Sequence, residues 1–168
     1  MPLDLERLYD AHAQAIFAFV LNLTRSEAET RDVLQEIFVK LASRPELLRA
    51  VRDERGYLLR LGHNLALDLM RRRGTREKRH EQFAAETDAV FETSDEADEQ
   101  SFRDALSDAL AALPVEQRAV AHLKLWEEVT FEAIAEMLGI SPNTAASRYR
   151  YAIDKLRERL RPLYDEIK

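Results

Sequence analysis

Apolar residues recur along this chain at helical spacing almost from its first residue. Leu5, Leu8, Tyr9, Ile16, Phe19, Val20 and Leu23 predict a helix over 3–25. Ser26 followed by Glu29 has the pattern of a capping box, and Val33, Leu34, Ile37, Phe38 and Leu41 continue a second helix toward Pro45. After a short connection through Val51, Asp53 is placed to cap a long helix that reaches Arg71, Arg72 and Arg73 and stops at Gly74. Periodicity then lapses. It resumes with a helix over 101–113 and another that takes Pro114 as its first residue. Thr130 caps a short helix closed by Gly139, and Ser141-Pro142 opens a last helix running to about Arg161.

The pattern predicts an all-α chain of two small helical domains, 1–82 and 101–168, joined by a tether over 83–100. Composition agrees, since 33 % of residues are charged, 46 % are hydrophobic, and 4 Gly and 5 Pro leave few turns for a many-stranded sheet. Charge sharpens the division. Nine basic residues stand against five acidic ones between 51 and 82, then one against nine between 83 and 112. Like charges and few apolar anchors make 83–100 the acidic linker. A net charge of −6 gives little general attraction to phosphate, so any nucleic-acid binding has to be local and assisted by a partner.

Other chemistries find no footing. Cysteine is absent, so there is neither a disulfide framework nor a thiolate metal site. His12, His63, His80 and His122 are scattered without metal spacing, no Ser/His/Asp set is suggested, and no Gly-rich phosphate loop exists. No cofactor and no catalysis are expected. The opening MPLDLERLYD lacks a secretory pattern and no stretch has the roughly 20 apolar residues of a membrane helix, so the expectation is a cytoplasmic protein without membrane insertion.

Three segments carry candidate function. Residues 130–152 have the design of a helix-turn-helix: Ile134, Ala135 and Leu138 face inward, Gly139 makes the turn, and Ile140 and Ala145 fill the space between the helices. The second of these helices sets Ala145, Tyr149, Ala152, Ile153 and Leu156 on one arc. Asn143, Thr144, Ser147, Arg150, Tyr151 and Asp154 fall opposite, with groups suited to base edges and phosphates in a major groove. An ordinary amphipathic surface helix has the same outline.

In YLLRLGHNLALDLMRRR (57–73), Leu58, Leu61, Leu65, Ala66 and Leu69 share one side. Tyr57, Arg60, His63, Asn64, Asp68 and Arg71, with Leu67, share the other. Aromatic and aliphatic groups beside Arg and Asn suit unstacked bases, and the three arginines can hold phosphates. A core helix with a solvated charge run fits the same residues, and a lone His63 is more often structural than a ligand. The helix over 31–42 shows a polar face of Asp32, Gln35, Glu36 and Lys40, which by itself is that of a bundle helix.

Together these segments resemble the extracytoplasmic-function (ECF) sigma factors, small promoter-specificity subunits of bacterial RNA polymerase. LQEIFVKLA is similar to the family's polymerase-binding helix, YLLRLGHNLALDLMRRR to its −10 recognition helix, and the stretch from ALAALPVEQR to DKLRERL to its fourth region. The match covers nearly the whole chain in order. The resemblance implies core polymerase binding by Asp32, Gln35, Glu36 and Lys40. It implies capture of a melted −10 strand by Tyr57, Arg60, His63, Asn64, Asp68, Arg71 and Arg72, with a flipped base held in a pocket formed by the loop before the long helix. Docking on a −35 duplex falls to Asn143, Thr144, Ser147, Arg148, Arg150 and Tyr151. Core RNA polymerase, promoter DNA and an anti-sigma protein are the implied partners. The rival reading is a stand-alone helix-turn-helix regulator. Ala145-Ala146 and Tyr149-Arg150-Tyr151 depart from the branched, basic and Arg-rich residues common in the family, which shifts phosphate anchoring toward Arg148 and Arg150.

Overall fold

The computed structural model describes residues 2–77 and 97–167. These hold seven α-helices and no strand: α1 (Leu5–Thr24), α2 (Glu27–Ser43), a 3-10 turn (Pro45–Leu48), α3 (Glu54–Glu77), α4 (Ala97–Ala111), α5 (Val115–Leu125), α6 (Phe131–Leu138) and α7 (Pro142–Ile167). They belong to two compact units, Met1–Glu86 and Thr87–Lys168. The all-α, two-domain fold class expected from the pattern is the one observed. Most of the tether lies outside the described residues, but residues 97–100, assigned to it by composition, are helical.

In the first unit α1, α2 and α3 each pack on the other two. Their core is Leu8, Ile16, Phe19, Val20, Leu23, Val33, Ile37, Leu41, Leu58 and Leu59. Asp4 caps α1 by accepting from the Arg7 N–H at 3.0 Å. Ser26 caps α2 by accepting from the Glu29 N–H at 3.2 Å, which is half of a capping box. The other half is not made. The Ser26 N–H donates to Thr24 Oγ1 at 3.2 Å, and the Glu29 carboxylate accepts from Arg73 at the far end of α3. Asp53 caps α3 through the Gly56 N–H at 3.0 Å. A Cβ on Gly56 would stand 2.3 Å from Asp53 Oδ2, so a larger residue there would make the Asp53 carboxylate turn. Gly62 sits where α3 crosses its neighbours: a Cβ there would lie 3.1 Å from Val20 and 3.4 Å from Ile16.

In the second unit α7 packs on α4, α5 and α6 around Ala109, Leu110, Leu113, Ala121, Ala152 and Leu156. Arg118 is buried, and its Nη1 donates to the carbonyls of Leu110, Ala111 and Leu113 at 3.2–3.3 Å, satisfying the end of α4. Thr130 accepts from the Ala133 N–H, Gly139 closes α6 in the left-handed region (φ 68°), and Ser141 accepts from the Thr144 N–H at 3.0 Å to start α7.

Three expected boundaries move. α3 runs through Gly74 to Glu77, because a glycine that keeps helical φ weakens a helix by about 1 kcal/mol without ending it. α7 runs through Pro162 to Ile167, since the carbonyl deprived of a donor belongs to exposed Glu158, within reach of water. Pro114 is the cap residue before α5, with extended ψ (146°), and Val115 is the first helical residue.

Candidate nucleic-acid and partner surfaces

On α2, Thr30, Val33, Ile37 and Leu41 point inward, which leaves Asp32, Gln35 and Glu36 exposed and Lys40 half-buried. Beside them lies a shallow groove of about 430 Å³ lined by Tyr9, Arg31, Leu34, Gln35, Phe38 and Val39. Tyr9 and Phe38 meet with ring centroids 5.3 Å apart, yet Tyr9 remains 51 % and Val39 58 % exposed. Sequence reasoning took only the polar side of this helix. The missed signal is Val39, an apolar residue two positions from the buried Ile37 and so on the solvent side.

α3 is seated differently from its expected orientation. Its buried residues are Leu58, Leu59, Gly62, His63 and Ala66, whereas Leu61, Leu65, Leu67 and Leu69 are only half-buried. The seat is turned by about a quarter of the helix circumference from the leucine arc. The turn takes Leu59 and His63 into the core and leaves a continuous outer stripe. Tyr57 is half-buried, and Arg60, Asn64, Asp68 and Arg71 are exposed, each three or four residues from the next. Arg72 flanks the stripe, exposed and paired with Asp68 at 2.6 Å. Arg73 points elsewhere, onto Glu29 and the Thr24 carbonyl, and so ties α3 to the end of α1 and the start of α2.

His63 is 8 % exposed and lies nearly parallel to the Phe19 ring (15°, centroids 6.4 Å). It is therefore not on the outer stripe with which it was grouped. Burial holds its pKa below the usual imidazole value, opposed by a hydrogen bond between Nδ1 and Asn64 Oδ1 at 3.3 Å.

In the second unit Ile134, Ala135, Ala145, Ala152 and Leu156 are buried, while Ile140 is half-buried between α6 and α7. Asn143, Arg150 and Tyr151 are exposed; Thr144, Ser147 and Arg148 are partly so. Thr144 is drawn into the α7 cap by the Ser141 hydroxyl at 2.9 Å, and Arg150 Nη2 donates to Ser147 Oγ at 3.4 Å. Tyr149 packs edge-on against Phe131 (centroids 5.6 Å apart), and Lys124 Nζ stands over the Phe131 ring, 4.5 Å from its centroid. This Lys124–Phe131–Tyr149 series links α5, α6 and α7 and escaped sequence reasoning, because its members are far apart in the chain.

Residues 8–76 match the family Sigma-70 region 2, and residues 103–161 match Sigma-70, region 4. The ECF RNA polymerase sigma factor SigL of Mycobacterium tuberculosis is 32 % identical over 161 residues, covering 93 % of this chain and 88 % of its own. The chain belongs to the ECF sigma factors. A second relative of this sigma factor, the RNA polymerase sigma-E factor of Streptomyces antibioticus, is 30 % identical, with 94 % and 85 % of the two chains covered. The sigma factor RpoE of Bartonella quintana, solved in complex with the anti-sigma factor NepR, shares the fold. Its TM-score is 0.74 at 21 % identity, over 93 % of this chain and 96 % of that one. As a sigma factor the protein directs promoter-specific transcription by RNA polymerase, and the stand-alone regulator is not favoured. Sigma factors are transcription initiation factors, not enzymes. No described helix is long and apolar enough to cross a membrane.

Proposed function

We propose that this ECF sigma factor divides promoter recognition between α3 and α7 while α2 holds the polymerase. Asp32, Gln35, Glu36 and Lys40 contact core enzyme, with Tyr9, Phe38 and Val39 supplying the apolar part of the interface. The outer stripe Tyr57, Arg60, Asn64, Asp68 and Arg71, flanked by Arg72, captures the −10 element as a melted strand, and buried His63 serves it from behind. Asn143, Ser147, Arg148, Arg150 and Tyr151 meet the −35 element as duplex, while Thr144 orders the start of α7. Residues 1–82 and 101–168 are the working domains, joined by an acidic linker over 83–100. The protein works in the cytoplasm without chemistry of its own. The Bartonella neighbour was solved in complex with an anti-sigma factor; this protein too is held by an anti-sigma protein, which covers the surfaces named above.

The observation that carries this reading is the α3 stripe. A tyrosine, two arginines and an asparagine stand in line beside half-buried leucines, a surface that can stack and hydrogen-bond separated bases. Run-off transcription with purified core polymerase and a promoter library tests it. Specific transcripts are expected from the wild-type protein, and Gln35→Ala with Glu36→Ala should weaken core binding without loss of helicity. Unchanged affinity in the double variant would remove α2 from the interface. Arg150→Ala should cost roughly 1–3 kcal/mol at promoters that depend on the −35 element if it reads a base. If it holds a phosphate, it should instead reduce the salt dependence of binding.

A further inference from the structure

The seat of α3 contains one polar side chain, His63, that lies off the exposed stripe. His63 is buried between that stripe and the core, pressed along Phe19 where Gly62 lets α3 approach α1. Its Nδ1 lies 3.3 Å from Oδ1 of Asn64, the next residue and a member of the exposed stripe. An amide oxygen only accepts, so Nδ1 carries the proton and donates. Burial keeps the ring neutral and so limited to a single N–H, which this contact places on Nδ1.

We infer that His63 is a positioning residue that fixes the side-chain amide of Asn64 with its oxygen turned to the protein and its NH₂ turned outward, so that the stripe selects hydrogen-bond acceptors and disfavours adenine at one position of the melted strand. The chemistry is that of the amide. An unrestrained asparagine can turn about χ2 and offer oxygen and nitrogen together, the pair that reads adenine N6 and N7. With the oxygen turned to His63, the NH₂ is the group that faces the strand. It matches the carbonyl oxygens of thymine, cytosine or guanine, whereas adenine offers it only ring nitrogens and holds out an amino group that the turned-away oxygen does not meet. The rigid ring behind Asn64 makes the commitment durable, because moving it means disturbing Phe19 and the crossing at Gly62.

This inference rests on the assignment of the α3 stripe to the −10 strand, and its test separates the two. Holoenzyme assembled from core polymerase and the full chain is titrated with single-stranded −10 oligonucleotides carrying each base at each position. Asn64→Ala should abolish discrimination at one position, which identifies the base it reads. His63→Phe keeps an aromatic ring against Phe19 but removes the donor. It should cut discrimination against adenine at that same position by about three- to tenfold, the worth of one neutral hydrogen bond. The double variant should match Asn64→Ala alone. If His63→Phe leaves the adenine preference unchanged, or alters it equally with Asn64 absent, the positioning role is overturned while the stripe stands. If Asn64→Ala changes nothing at any position, the strand assignment falls and the inference with it. Should His63→Phe fail to fold, the ¹⁵N shifts of the His63 imidazole in the wild-type protein decide: an Nδ1–H ring is expected, and an Nε2–H ring would overturn the proposal.

Discussion

Helices α3 and α7 each carry a face proposed to meet DNA, but they are seated by opposite means. α7 buries Ala145, Ala152 and Leu156 along one arc and exposes Asn143, Arg150, Tyr151 and Asp154 on the other, so its apolar side and its seat coincide. α3 buries Leu58 and Leu59 together with Gly62, His63 and Ala66, and leaves four other leucines half-exposed. A count of apolar residues therefore orients α7 correctly and misorients α3. Close approach decides the seat in α3: the residue at the crossing has to be small, and the rest of the helix turns to suit it.

The largest difference expected between the units is in acid. Burial pushes the His122 pKa down to about 4, against about 6.5 when unfolded. Across that window the unfolded chain binds a proton that the folded second unit refuses. Its stability should thus be complete above about pH 6.5 and fall by about 1.4 kcal/mol per pH unit, about 3 kcal/mol in all by pH 4. Trp126, the sole tryptophan, lies 5.2 Å from the His122 ring and reports on this unit by fluorescence. His122→Leu should flatten the slope; an unchanged slope would assign it to another group. His63 is shifted in the same direction, so the first unit, followed by circular dichroism, should weaken in acid too.

Overfilling the two seats should separate them next. Gly62→Val puts three carbons where even a Cβ would be 3.1 Å from Val20, and should cost about 3 kcal/mol in urea unfolding, the top of the usual overpacking range. Ala145→Val adds two methyls where a Cβ is already housed, for a cost nearer about 1 kcal/mol. Equal losses would mean that α3 has more room at its crossing than Gly62 implies.

The smallest effect concerns two residues held at positive φ. Arg25 (φ 60°) ends α1 and Glu128 (φ 53°) lies between α5 and α6. Glu128 is exposed, so Glu128→Gly should relieve left-handed strain for a net gain of about 0.5–1 kcal/mol, after the extra freedom of glycine in the unfolded chain is subtracted. Arg25→Gly should gain nothing, because it also loses the bond from the guanidinium to Asn22 Oδ1 at 3.2 Å. Melting curves of the two variants should move apart.

Local chemistry was the legible part. Ser26, Asp53, Thr130, Gly139 and Ser141 act where the sequence places them, because a cap is decided within four residues. The helix-turn-helix was legible for the same reason. What eluded the sequence depends on partners far along the chain. Arg73 looks like part of a basic run until Glu29, 44 residues earlier, claims it. Arg118 looks like a surface cation until three carbonyls of the preceding turn enclose it. Gly74 and Pro162 carry stop signals, but neither forces the backbone out of the helix where it stands.

The first unit closes its core among three helices that end at residue 77, and that has a consequence for how the protein is made. A ribosome adds about 5–20 residues each second, whereas small helical bundles fold in microseconds to milliseconds. Once α3 has cleared the exit tunnel, every apolar side chain that buries Phe19 and Ile37 is already at hand. The nascent chain can complete this half while α7, on which α4, α5 and α6 all depend, is still being translated. Synthesis thus imposes a strict order of birth on the two halves, and the later one has to wait for almost its last residues before it can settle.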